Sequence, residues 1–262
     1  MPESDETAAT VEPFIARWKN SGAAERANYA LFLSELCDLL GVDRPKPTVP
    51  EQNFNSYVID RAINRVDKNG KNTTVYADLY KRGCFMLETK QGAAAESSGT
   101  GQGALLDVPT TPKKTGHGVR GSKGWDKVMD RAYGQARGYI RYLPSDEGRP
   151  PFLIVCDVGH VIELYAEFTG TGGEYLRFPD PKNHRIYLEE LRDPKKRELL
   201  RKVWEEPHTL DPSKHAAIVT RDVSKALAKL AQSLEAQKHD REVIAKFLQR
   251  LLFTLFAEDI GL

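Results

Sequence analysis

Asp78, Glu88 and Lys90 are the residues whose types and spacing could do chemistry together in this chain. Glu88 and Lys90 lie two apart in the strand-like segment Cys84–Lys90, so they share a face while Thr89 points to the other. Asp78 lies in the preceding strand-like segment, Thr74–Tyr80, and the short break Lys81-Arg82-Gly83 makes the two a hairpin that brings Asp78 beside the charged pair. Two carboxylates and one ammonium then converge at one point of a sheet. That set suits hydrolysis of a phosphodiester. Asp78, Glu88 and the backbone carbonyl of Thr89 form a hard oxygen site for Mg2+, with Mn2+ as a substitute. A cation there polarises the scissile phosphate and lowers the pKa of a bound water. Lys90 orients or helps deprotonate that water and stabilises charge building on the phosphate.

Taken alone, Glu-x-Lys on a strand is more often a solvated edge pair. Its weight comes from the elements around it. A first amphipathic helix is expected from near Val11, apolar residues recurring at three and four predict a second over about Ala24–Leu40, capped by Gly41, and a strand follows at Tyr57–Val66 that ends in the turn Asp67-Lys68-Asn69-Gly70. After the two strands bearing the charged residues comes a Gly-, Ser-, Thr- and Lys-rich stretch, residues 91–122, read as a long loop. Its Gly99-Thr100-Gly101-Gln102-Gly103 only superficially resembles a nucleotide-binding loop, because no strand precedes it and no helix opens on it. A helix over about Lys123–Tyr142 and a fully apolar strand, Phe152–Cys156, follow. Further strands are expected near Val161–Tyr165, Glu174–Phe178 and His184–Tyr187, and helices over Lys195–Trp204, Ser213–Ala236 and Asp240–Glu258.

This order adds candidates. Gln135 and Tyr139 stand four apart on the helix after the loop and face one side, which places Gln135 to contact the attacking water or a phosphate. Glu35, on the helix before the sheet, can supply a third carboxylate to the metal. Lys113, Lys114, Arg120 and Lys123 lie in the acid-free stretch 109–124 and are candidate DNA contacts, against the plain alternative of a solvated surface. A second basic run, Arg192 to Lys202, carries six basic residues against Asp193 and Glu198. The histidines form no His-x-x-x-His pair, so zinc chemistry is not expected, and no Gly-x-Ser-x-Gly is present.

Composition sets the outer bounds. The chain has 262 residues, 40% of them hydrophobic, and a formal net charge of +1. A chain this long buries roughly 70–75% of its unfolded surface and needs no disulfide or metal staple. The net charge excludes a histone-like sheath but not a nucleic-acid enzyme, because local patches matter more than the sum. The three cysteines, Cys37, Cys84 and Cys156, sit among apolar neighbours and read as reduced core thiols. The acidic, polar start has no apolar targeting core, and no run nears the ~18 apolar residues of a membrane span. The expectation is a soluble, cytoplasmic protein.

Asp78, nine intervening residues and Glu88-Thr89-Lys90 together resemble the PD-(D/E)xK nuclease signature, and Gln135…Tyr139 resembles the Gln-x-x-x-Tyr helix motif of that superfamily. Tyr76–Gly92 looks more specifically like the N-terminal nuclease of MmeI-like type IIL (type IIG) restriction–modification enzymes, and Phe247–Leu262 resembles their helical connector. The resemblance implies an α/β restriction-endonuclease-like core of order αβββαβ with an appended helical region. It implies an N-terminal tail and short helix over 1–23, an endonuclease domain over 24–190 and a connector over 191–262. By the same resemblance Asp78 and Glu88 are metal ligands, Lys90 is the catalytic lysine and the substrate is double-stranded DNA. Transient pairing of two copies on DNA is compatible with it. In that family the connector leads to an S-adenosylmethionine-dependent adenine methyltransferase and a target-recognition domain. No Asn-Pro-Pro-Tyr motif is present, so the expectation is a fragment or remnant of a longer phage-defence enzyme, with S-adenosylmethionine entering only through the absent domain. The leading reading is thus a Mg2+-dependent endonuclease domain. The alternatives are a catalytically silent, nuclease-fold DNA-binding or scaffold module, and a nuclease acting on RNA or DNA ends. The apolar face Phe247, Leu248, Leu251, Leu252, Leu255 and Phe256 is expected either to pack locally or to dock on the absent methyltransferase domain.

Overall fold

A computed structural model of the chain describes residues 4–19, 21, 25–66, 70, 72–90 and 120–259. The chain divides into two compact units, Met1–His208 and Thr209–Leu262. The first holds α1 (Ser4–Lys19), α2 (Glu25–Leu40), β1 (Tyr57–Val66), β2 (Asn72–Lys81), β3 (Phe85–Lys90), α3 (Lys123–Ile140), β4 (Phe152–Asp157), β5 (Val161–Ala166), β6 (Leu176–Arg177), β7 (Arg185–Tyr187) and α4 (Pro194–Glu205). The second holds the helices α5 (Pro212–Ala236) and α6 (Arg241–Asp259), joined through Lys238 at φ 64°. Among the described residues, no helix is long and apolar enough to cross a membrane.

The seven strands form one mixed sheet in the order β1-β2-β3-β4-β5-β6, with β7 also on β5. Every pair is antiparallel except β3–β4. A parallel neighbour requires a crossover, and α3 supplies it. Trp125, Met129, Ala132, Ala136 and Ile140 recur at helical spacing and bury against Met86, Leu153, Val155 and Tyr165. Ser122 caps the helix, its Oγ accepting from the Trp125 amide at 3.2 Å. Both faces of β4 are buried, which explains its unbroken apolar sequence. On the opposite side of the sheet Trp204 of α4 lies with its ring 4.4 Å from that of Phe85.

The structure departs from the sequence-based expectation at several boundaries. α1 starts at Ser4 instead of near Val11, and Val11, Phe14, Ile15 and Trp18 are buried in the first unit. The first compact unit runs to His208, and α4 within it buries Leu200, Val203 and Trp204. β3 begins at Phe85, since Cys84 belongs to the turn made by Gly83 at φ 71°. The second basic run has one buried member, Arg197, while Arg192, Lys195 and Arg201 are exposed, two of them with folded partners. Arg197 donates to the Leu191 carbonyl, Arg201 to the Leu40 carbonyl, and Arg192 pairs with Glu12 at 2.6 Å.

A buried charge cluster ties the hairpin β1–β2 to the segment after α3. Glu147 accepts from Arg61 at 2.6 Å and from the Tyr80 hydroxyl at 2.8 Å, and lies 3.2 Å from Arg82. The Arg61 and Glu147 side chains are 2% and 1% exposed.

The turn between β4 and β5 accepts the end of α1. Gly159 has φ 75°, and a Cβ built on it would stand 2.2 Å from the Trp18 carbonyl oxygen. Neither backbone can retreat cheaply from that contact. Gly159→Ala is expected to lower stability by about 1–3 kcal/mol, read as a lower melting temperature in a thermal scan. An unchanged melt would mean that α1 does not seat on this turn.

In the second unit Ile244 is buried, while Phe247 and Phe253 are 49% and 75% exposed. The side chains of Leu255 and Phe256 lie outside the described ones.

Candidate active site

The site lies where two strands lose their regular phase. On β2, Ala77 and Tyr80 both belong to the core beneath α3. Residues three apart on a regular strand face opposite sides, so the strand slips between them. β1 does the same. Tyr57 contacts Cys37 and Trp204 on one side of the sheet, whereas Arg61 lies over the Tyr80 ring and Ile63 joins the α3 core. The slip falls on Asp60 and Asp78. They stand opposite each other between the pairs Ile59↔Leu79 and Arg61↔Ala77 and are themselves absent from the ladder. Asp60 has φ 54°, a left-handed conformation that an aspartate tolerates better than most residues. Tyr29 of α2 secures it, its hydroxyl donating to Asp60 Oδ1 at 2.8 Å.

This slip opens the sheet. β2 and β3 pair only from Leu79↔Leu87 to Lys81↔Phe85. Beyond that point β2 leaves with β1, while β3 continues beside β4 as far as Lys90↔Asp157. In the gap the Asp78 carboxylate takes the place of a ladder carbonyl: its Oδ2 accepts from the Thr89 amide and the Thr89 hydroxyl, both at 2.6 Å. The expectation that Thr89 points away from the acidic group is therefore corrected. Its hydroxyl belongs to the Asp78 shell, because Asp78 leaves the regular alternation.

Glu88 is 2% exposed. A carboxylate so buried requires partners. Gln135 Nε2 of α3 donates to Glu88 Oε1, and Lys90 Nζ lies 2.9 Å from the same oxygen. Lys90 Nζ also donates to the Thr89 carbonyl at 2.7 Å. Tyr139 stands behind Gln135, and its phenol is pushed above its usual range, first by burial and then by the nearby Glu88 carboxylate. A cleft of about 660 Å³ opens over Asp78, Glu88, Lys90 and Gln135, with Asp60 and Tyr76 on its β1–β2 side.

Other candidates fall elsewhere. Glu35 is not brought to this cleft. It accepts from Trp18 Nε1 at 2.8 Å, pairs with Arg17 at 3.0 Å and lines a separate pocket of about 250 Å³. Tyr29, not Glu35, is the α2 residue that reaches the cleft. Lys113 and Lys114 lie outside the described residues, as does Gly99–Gly103. Arg120 faces inward: it grips both oxygens of the fully buried Asp157, at 2.8 and 3.1 Å, and the Val158 carbonyl. Lys123 is exposed in the first turn of α3. All three cysteines are buried free thiols, and burial pushes each above its usual range, as suits core residues. Asp60 is a cleft residue that pattern reading missed. The available signal was the abrupt end of the apolar run Tyr57-Val-Ile59 at Asp60-Arg61. Among the described residues no three His, Cys, Asp or Glu side chains gather as a metal-binding group.

A mixed sheet whose one parallel pair carries buried charge at its open end, with a helix crossing over it, is a nuclease-like α/β fold. The family described as MmeI, N-terminal domain, matches residues 6–237, and the chain belongs to that family. Membership puts it in the setting of restriction–modification enzymes. No curated protein and no solved structure matches the chain.

Proposed function

We propose that the chain is a Mg2+-dependent endonuclease domain that hydrolyses phosphodiester bonds of double-stranded DNA. The observation that carries this reading is the position of Lys90 Nζ, 2.9 Å from Glu88 Oε1 and 2.7 Å from the Thr89 carbonyl. Two oxygens of the expected ligand set already converge on one cationic centre, so the ammonium is a stand-in ion that tests the fit of the donor set. With Asp78 beside them, the donors are hard oxygens suited to Mg2+ or Mn2+. The bound cation would polarise the phosphate and acidify a coordinated water. The remaining work falls to the chain. Asp78 and Glu88 bind, and Asp78 also fixes Thr89 through two hydrogen bonds, which aims the Thr89 carbonyl. Lys90 holds the attacking water and balances charge on the phosphate. Gln135 is a positioning residue that orients Glu88, and Tyr139 supports Gln135.

Calorimetric titration of Mn2+ into the chain tests this, with Glu88→Gln as the comparison. Binding that is present in the unmutated chain and lost in the variant is expected. An unmutated chain that takes up no Mn2+, alone or with a short duplex present, would defeat the reading.

A further inference from the structure

Beyond the slip at Asp60 and Asp78, β1 and β2 continue as a two-stranded ribbon with two unlike faces. Ile63, Val75 and Ala77 turn inward and anchor it on the α3 core. The alternate residues turn outward in the pairs Ala62↔Tyr76, Asn64↔Thr74 and Val66↔Asn72. Asn64, Thr74 and Asn72 are exposed, and Thr74 Oγ1 lies 3.2 Å from Asn64 Oδ1, so amide and hydroxyl groups form a row at the surface. Tyr76, 55% exposed, closes that row at the cleft wall. Between residues 61–66 and 72–77 there is no acid, and Arg65 is exposed.

We propose that this outward face is a duplex-DNA contact surface, which holds the segment leading away from the scissile phosphate. The proposal rests on the endonuclease reading for its partner and on the ribbon for its geometry. A ribbon six residues long reaches roughly 20 Å at ~3.3 Å per residue, and the major groove of B-DNA admits a two-stranded ribbon. Beside Val66 and Ala62, the face offers hydrogen-bonding groups and one aromatic ring without a carboxylate to repel phosphates. A protein-docking face is expected to be a broad apolar patch instead. The row is continuous with the cleft through Tyr76, so a strand bound in the cleft runs onto it.

The test is fluorescence anisotropy of a labelled short duplex with the whole chain, with Ca2+ replacing Mg2+ so that the DNA is bound and not cut. The double variant Tyr76→Ala/Thr74→Glu is expected to weaken binding at least tenfold, about 1.4 kcal/mol. Leu176→Ala, another exposed apolar residue, serves as control and is expected to leave it unchanged. Mn2+ binding by Thr74→Glu alone, a residue outside the cleft lining, is expected to match the unmutated chain. If the double variant melts early, Asn64→Asp adds a charge at nearly constant shape and gives the same readout. Duplex binding unaffected by these changes overturns the proposal, as does an unmutated chain that binds no duplex or binds single strands equally well. Failure of the endonuclease reading is seen separately, as a missing Mn2+ isotherm alongside duplex binding that still depends on the ribbon.

Discussion

Lys90→Met is expected to separate metal binding from cleavage. The Lys90 ammonium lies on Glu88 Oε1 and the Thr89 carbonyl, the two oxygens that the proposed cation would take. Removing the ammonium leaves those oxygens more available and the Glu88 charge less balanced, so Mn2+ affinity is expected to stay level or rise. Cleavage is expected to fall by roughly 10²–10⁴-fold, the usual effect of removing a proton-transfer or charge-stabilising group. Asp78→Asn should act in the opposite sense. It preserves an acceptor for the Thr89 amide while removing a ligand charge, so metal binding and cleavage should fall together. Asp78→Ala adds a fold defect, because an amide left without its acceptor costs about 1–3 kcal/mol. Calorimetry with Mn2+ and nicking of supercoiled plasmid separate the three variants. A Lys90→Met chain that loses the metal along with cutting would place Lys90 in the binding shell and remove its separate role.

Glu147→Ala is expected to produce the largest loss of stability in the first unit. Its carboxylate accepts from Arg61 and Tyr80 and lies beside Arg82, with the Arg61 side chain only 2% exposed. Truncation strands a guanidinium charge in the interior, which costs about 3–5 kcal/mol. Against a total stability of about 5–15 kcal/mol, that removes from roughly a fifth to all of it, so the urea midpoint is expected to fall markedly. Replacing both partners by apolar residues, Arg61→Met with Glu147→Leu, removes the stranded charge and is expected to recover much of the loss. If the single variant unfolds at the same urea concentration as the parent, the pair is not buried as the structure has it. Arg61 follows Asp60 directly, so the same variant should also weaken Mn2+ uptake by relaxing the slip that places Asp78.

Much of this architecture was legible in the residues. β1 was readable to its last residue, α3 from its buried stripe at Trp125, Met129, Ala132, Ala136 and Ile140, and the Asp78/Glu88/Lys90 grouping from strand alternation and one short turn. What escaped depends on geometry that periodicity assumes away. Alternation presupposes a regular strand, so it turned Thr89 from Asp78 and hid Asp60, both consequences of a slip in which Asp60 adopts φ 54°. Helical spacing shows which residues share a face of α2 but not what lies opposite. The cleft therefore receives Tyr29, while Glu35 goes to Trp18 and Arg17. Arg120 counted as a loop cation because its partner Asp157, 37 residues away, is reached only through tertiary packing.

The Asp157–Arg120 contact has a consequence for the way this chain can vary. β3 ends with Lys90 paired to Asp157, and the Val158 amide donates to the Lys90 carbonyl at 2.9 Å. Arg120 returns to the same two residues, holding the Asp157 carboxylate and the Val158 carbonyl. Departure and return of residues 91–119 are thus riveted to one spot at the end of β4. The entropic cost of joining two fixed ends grows only as the logarithm of the chain length between them, about 0.6 kcal/mol for each doubling. A change of length between Lys90 and Arg120 is therefore expected to leave the β3–β4 pairing, and with it Glu88 and Lys90, in place.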